Sequence, residues 1–210
     1  MRTHTGSARS PARWVCLAAV VLWPGLSGAA SEGWTADRTV DGIDLESQPR
    51  ESGFRAYRGT VTVCADLEEL QAFVGDASRF HEWLPYTEEA RDLKDPESGD
   101  ELYYLRNSAP WPLKSRDMVY RLTRQPGEDN VLRIALEGVP QALPPQAGAV
   151  RMEGAEGLWT LQTDGGRIEV GLSLTVNPGR APAFFVHRRL AATVGGTLAN
   201  LQAHFPCGEN

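Results

Sequence analysis

The stretch "SAPWPLKSRDMVY" (108–120) gathers side chains that chemistry uses: an aromatic at Trp111, a base at Arg116 and an acid at Asp117. Such a set invites an active-site reading, an acid and a base working beside an aromatic wall. Adjacent residues of an extended segment point to opposite faces, however, so Arg116 and Asp117 cannot pair with each other. A partly buried charge needs a partner. Each is therefore expected to make a structural ion pair or a backbone hydrogen bond that fixes the entry to a strand. Trp111, between Pro110 and Pro112, is expected to be a packing plug that sets the path of the chain.

Other candidate chemistry is thin. His81 and Glu82 would serve as a base and its orienter only if they faced the same way, and helix neighbours point about 100° apart. A nucleophilic Cys64 wants a nearby His or Arg to stabilise its thiolate, and the flanking sequence supplies neither. The four histidines are scattered, and none forms a ligand-spaced pair with a cysteine. No metal and no cofactor is expected.

The elements that must position these residues are legible from periodicity. Residues 31–37 predict a short helix or frayed lead-in. "TVDGIDLES" (39–47) and "FRAYRGTVTVC" (54–64) alternate as strands, with Ile43, Leu45, Tyr57, Val61 and Val63 on one face. "DLEELQAF" (66–73) starts a helix, with Glu69 three residues after Asp66 in a capping-box arrangement. "ASRFHEWLP" (77–85) gives a second short helix, burying Phe80, Trp83 and Leu84 and ended by Pro85.

Turn chemistry at 95–100, 125–130, 153–157 and 163–166 then separates the strands of an antiparallel meander. The clearest strand is "RIEVGLSLTV" (167–176), with Ile168, Val170, Leu172, Leu174 and Val176 inward. "VLRIALE" (131–137) points Leu132, Ile134 and Leu136 inward. A long helix over 183–205 repeats Val186, Leu190, Val194, Thr197, Leu201 and Phe205, and leaves His187, Arg188, Arg189, Gln202 and His204 mostly on other faces. Gly195 and Gly196 sit inside it, although Gly costs about 1 kcal/mol relative to Ala in a helix interior. Close backbone packing or space left for something else would explain them.

Two strands, two short helices, a meander and a long last helix make an α+β helix-grip fold. In it a curved antiparallel β-sheet wraps around a long C-terminal α-helix and leaves an internal hydrophobic cavity. Residues 1–30 are set aside as a signal peptide: Arg2, Arg9 and Arg13 precede the apolar run 15–26, too short for a bilayer, and the small residues 27–30. The expected domain is 31–210, periplasmic or secreted and monomeric. Losing those three arginines takes the net charge from −6 to −9, which argues against nucleic acid and anionic surfaces as partners.

Trp111, Pro112, Arg116, Asp117 and Val119, with "RFHEWLP" (79–85) and "NPGRAPAFFV" (177–186), resemble the START domains, the lipid-transfer family named for steroidogenic acute regulatory protein. The resemblance covers 34–205. It implies one lipid or sterol-like ligand in a tunnel beneath the C-terminal helix, and a scaffold role for Trp83 with the Trp-Pro and Arg-Asp pairs. It also implies that the loop "GVPQALPPQAGA" (138–149) belongs to the mouth; three prolines and no charge suit a lid that touches a membrane transiently or covers an oily ligand, the alternative being a stiffened surface loop. In several sterol-binding members a second Arg stands six residues after the motif's Arg. This chain has Leu122 there, which implies a more apolar wall and leaves sterol specificity uncarried.

On this reading Tyr103, Leu105 and Asn107 line one strand, and Met118, Tyr120 and Leu122 the next. Leu132, Ile134, Leu136, Val170, Leu172 and Leu174 follow on the meander, then Val186, Leu190, Val194 and Thr197 on the helix. Any one of the apolar residues would look the same as ordinary core. Binding and transfer of a hydrophobic ligand is the expected function. A polyketide cyclase or dehydratase of the same fold, or an envelope protein-interaction module with a collapsed cavity, are the alternatives. Cys64 and Cys207, the two cysteines of the mature chain, are expected to bond, because the short helices after Cys64 should support the end of the last helix.

Overall fold

A computed structural model describes residues 33–94, 101–127, 130–177 and 179–208. The expected signal peptide and the turn at 95–100 lie outside these residues, as do Glu128, Asp129 and Pro178. In chain order the elements are β1 (Thr35–Val40), β2 (Ile43–Pro49), β3 (Arg55–Val63), α1 (Leu67–Gly75) and α2 (Phe80–Trp83). Then come β4 (Thr87–Lys94), β5 (Glu101–Asn107), β6 (Ser115–Pro126) and β7 (Val131–Gly138). The chain ends with β8 (Ala149–Arg151), β9 (Gly154–Asp164), β10 (Arg167–Asn177) and α3 (Ala183–His204). Among the described residues no helix is long and apolar enough to cross a membrane.

The ten strands form one open, curved sheet in the order β1-β2-β3-β10-β9-β7-β6-β5-β4, with β8 parallel to the start of β6. Its concave face grips α3, so the fold is the expected helix-grip arrangement. Of the helix or frayed lead-in expected at 31–37, the described residues lead into β1 (Thr35–Val40) and form no helix, and the expected single strand at 39–47 is a hairpin. Asp41 and Gly42 both have positive φ, at 50° and 84°, as a two-residue type I′ turn requires. The predicted turn at 153–157 is the start of β9. Gly157 lies between Leu136 of β7 and Leu174 of β10, and a Cβ there would come within 2.6 Å of Leu174 and 2.9 Å of Leu136. That glycine makes room for its neighbours' side chains and breaks no strand.

Helix α3 buries Val186, Leu190, Val194, Leu198 and Leu201. It packs on β1, β2, β3, β10 and α2. Its glycines serve close packing. A Cβ on Gly195 would stand 2.6 Å from the Cβ of Val40, and one on Gly196 would stand 2.8 Å from the Cγ of Pro85.

The C-terminal end of α3 is tied down from several directions. Phe73 of α1 stacks on His204 and meets Phe205 edge-on, at centroid distances of 4.2 and 5.3 Å. Asn200 donates to the Trp83 carbonyl oxygen at 2.9 Å. Cys64 and Cys207 form a disulfide with their Cα atoms 5.0 Å apart. Asp66 stands at the N-cap of α1 but makes no side-chain cap bond, so the expected capping box does not form.

Candidate ligand-binding cavity

Beneath the N-terminal half of α3 the sheet and helix enclose a cavity of about 540 Å³, a volume suited to one small hydrophobic molecule. Its wall takes Leu105 and Asn107 from β5, Met118, Tyr120 and Leu122 from β6, Leu136 from β7 and Trp159 from β9. Leu172, Leu174 and Val176 come from β10, and Val186, Leu190, Thr193 and Thr197 from α3. Alternation on the strands and three-to-four spacing on the helix aim these side chains at one space.

The cavity therefore gathers Leu105, Asn107, Met118, Tyr120, Leu122, Leu136, Leu172, Leu174, Val186, Leu190 and Thr197 of the residues predicted to line it. Tyr103, Leu132, Ile134, Val170 and Val194 do not reach it. Ile134, Val170 and Val194 are at most 2% exposed and belong to the solid core, and Leu132 packs against that core. Tyr103 is stacked between Phe80 and Tyr120, and its hydroxyl donates to the Gly75 carbonyl oxygen at 3.0 Å. Burial, with Glu101 and Asp92 nearby, pushes the pKa of that hydroxyl up to about 12. Tyr120 faces the cavity, and burial raises its hydroxyl pKa further. Trp83, expected to be scaffold, lines the cavity as well.

The Arg-Asp pair divides as the strand geometry requires. Asp117 is 1% exposed and is clamped by Arg151, whose guanidinium donates to both carboxylate oxygens at 3.2 and 3.0 Å. Arg151 also donates to the carbonyl oxygens of Pro140, Leu143 and Pro144. The loop 138–149 is thereby folded against Asp117, on the face of β6 away from the cavity. No residue of the 139–149 segment lines the cavity, which corrects its expected place at the mouth. Arg116, expected to make a structural ion pair or a backbone hydrogen bond, makes the second, donating to the Lys114 carbonyl oxygen, and it faces the cavity with no ion pair among the described residues. Trp111 plugs nothing: it is 93% exposed, on a loop joined to β6 through a cis Trp111–Pro112 peptide.

The mouth is built by residues that the sequence pattern did not assign to the cavity. Ser108, Ala109, Pro110 and Leu113 of the β5–β6 loop line it, with Tyr86, Met152, Glu156, Phe185, Arg188 and Arg189. Arg188 and Arg189 thus serve the cavity, although the helical pattern put them on other faces. Arg189 donates to the carbonyl oxygen and Oγ of Ser108 at 2.6 and 3.0 Å, and its guanidinium lies over the Tyr86 ring. The apolar pair Phe184–Phe185 beside Arg188 and Arg189 was the available signal, since a helix start that exposes two Phe next to cations is an edge of something.

No protein-family model matches the chain. An uncharacterized protein of Pseudomonas aeruginosa is 30% identical over 195 residues, covering 91% of this chain and 95% of that protein. The crystal structure of a STAR-related lipid transfer protein from Xanthomonas axonopodis is 32% identical. It covers 82% of this chain and 98% of that one, with a TM-score of 0.74. The Zhui aromatase/cyclase from a Streptomyces species shares the fold alone, at 19% identity and a TM-score of 0.50 over 71% of this chain and 90% of that one. With sequence, fold and nearly the whole of the Xanthomonas chain in common, the chain belongs to the StAR-related lipid transfer (START) domain family.

Proposed function

We propose that the protein binds one lipid or similar hydrophobic molecule under α3 and carries it between membranes outside the cytoplasm, as a monomer. The observation that carries this reading is the hollow itself. A chain of this size ordinarily packs its interior to the density of an organic crystal, and here an apolar space of about 540 Å³ is held open beside a well-filled core. A module kept only for protein contacts would have no use for it. The apolar run at 15–26 and the Cys64–Cys207 bond both suit an exported chain.

Entry from a membrane is supported by the rim. Trp111, Phe184 and Phe185 are 93%, 69% and 48% exposed, and Phe185 lines the mouth. Exposed Trp and Phe beside Lys114, Arg180 and Arg188 suit the headgroup level of a bilayer, where aromatic rings settle. Cyclase chemistry has less to work with. Among the described residues the cavity wall holds no His, Cys, Asp or Lys, its single carboxylate, Glu156, is exposed at the mouth, and a buried Tyr120 hydroxyl with a raised pKa is a poor base near neutral pH.

Organic extraction of the purified protein followed by mass spectrometry tests the carrier reading: a co-purified lipid is expected. An empty or chemically converted content would count against it. Transfer of a fluorescent lipid between zwitterionic vesicles tests the rim. Trp111→Ala with Phe184→Ala should slow transfer while leaving the amount of bound lipid unchanged.

A further inference from the structure

Arg116 and Asn107 are direct partners in the β5–β6 register, so their side chains share one face. Both line the cavity, and both carry a buried polar atom with no hydrogen-bond partner, Nε of Arg116 and Oδ1 of Asn107. The remaining bond of the Arg116 guanidinium goes to the Lys114 carbonyl oxygen. Asp117, the nearest acid in sequence, is turned away and held by Arg151. Arg189 reaches the same strand end through Ser108 and, among the described residues, forms no ion pair either. The cavity wall thus sets Arg116, Arg188 and Arg189 against a single carboxylate, Glu156, in a chain whose net charge is −6.

Arg116 and Asn107 are each half-buried, and a guanidinium nitrogen and an amide oxygen buried side by side without partners are rare in folded proteins, the more so where the cation faces an apolar space without a counterion. An anionic group supplied by the ligand removes both costs. Two oxygens of a carboxylate or phosphate match the planar donor fork of Arg116, and a half-turn of the Asn107 amide presents its NH₂ to the same point. Beyond Arg116 the inward residues of β6 are Met118, Tyr120 and Leu122, with Leu105 opposite Met118. Polarity therefore falls along one strand, from a cationic end near the mouth to an apolar end in depth.

We infer that the cavity takes an amphiphile with an oxyanion head, a carboxylate or phosphate, seated on Arg116 and Asn107 with its tail along Met118 and Leu122. This rests on the carrier reading above and names the class of its ligand. The test is titration of the delipidated, oxidised protein with oleate, lysophosphatidate and oleyl alcohol, and with acetate and inorganic phosphate as heads without tails.

Oleate or lysophosphatidate should bind at least about tenfold more tightly than oleyl alcohol, the expected scale for a charge-assisted bidentate contact. That preference should shrink as salt rises. Arg116→Met should abolish the preference while leaving the affinity for oleyl alcohol within about twofold. Should that variant fail to fold, the preference of the wild-type protein decides. Equal binding of oleate, lysophosphatidate and oleyl alcohol would overturn the anionic head and leave the carrier reading standing. Binding of inorganic phosphate as tight as that of the lipids would overturn the amphiphile. No binding by any of the three lipids would overturn both readings together.

Discussion

The two halves of α3 lie over the same sheet and meet it differently. Towards its C-terminus Gly195 and Gly196 bring the backbone against Val40 and Pro85, Leu198 and Leu201 are fully buried, and a disulfide closes the end. Towards its N-terminus Val186, Leu190 and Thr193 face an open space, and Phe184 and Phe185 face solvent. A sheet gripping a helix evenly would make a solid core. Pinning one end tightly lets the other stand clear, so stability and binding are assigned to opposite ends of one element.

Removing the pin should have the largest effect. Cys64→Ser with Cys207→Ser opens a loop closed across a sequence separation of 143 residues, worth about 5 kcal/mol in the chain-entropy description. Urea denaturation of the oxidised protein and the double variant measures it. An unchanged midpoint would mean that α3 needs no tether and would break the contrast between its ends.

A matched pair of truncations sharpens the contrast. Leu201→Ala, at a fully buried position in the filled end, should cost about 3 kcal/mol by cavity creation. Met118→Ala, whose side chain already borders a void, should cost less, about 2 kcal/mol or below. Equal losses on thermal or urea melting would show that the hollow end is packed as tightly as the other.

Two stacked tyrosines draw the boundary between the halves. Tyr103→Phe should lose about 1 kcal/mol, the worth of its hydrogen bond to Gly75, with the bound ligand unchanged. Tyr120→Phe removes a hydroxyl from a cavity-lining ring and should alter the spectrum of extracted ligands at smaller cost in stability. Mass spectrometry of extracts beside melting curves reads both, and the reverse assignment would move the boundary.

The sequence reveals faces well and depth poorly. Alternation in β10 put Val170, Leu172 and Leu174 on one side because period reports which face a residue occupies. It does not report whether that face meets a helix or a void, and Val170 lies in core while Leu172 and Leu174 line the cavity. The adjacency of Arg116 and Asp117 correctly separated them. The partner of Asp117 was illegible, since Arg151 arrives through the parallel pairing of β8 with β6, a contact with no local signal. Trp111 misled for a related reason. A large aromatic between prolines reads as buried when burial is the only use considered for it, yet Trp111 is 93% exposed. The disulfide was legible because the expectation of export and the topology both pointed to it.

The smallest expected effect concerns His187, on the face of α3 away from the cavity. Its ring meets Phe54 edge-on and Tyr57 at a tilt, and its Nε2 is buried without a partner. Burial and then the nearby charge of Arg55 lower its pKa, against an opposing pull from Asp37, with Arg38 adding the least. The unfolded chain therefore takes up a proton near the ordinary value of about 6.5, while the folded chain resists until a lower pH. Between those two points the unfolded state holds more protons, so stability falls as pH drops through that window and is unaffected above it. The ring is partly solvated, so the change should be small. Melting temperatures from pH 7.5 to 5.5, compared with those of His187→Gln, isolate it: the wild-type protein should lose more over that interval. An identical slope in the two proteins would mean that His187 is protonated as easily in the folded state as in the unfolded one, leaving the grip on the hollow half of α3 indifferent to acid.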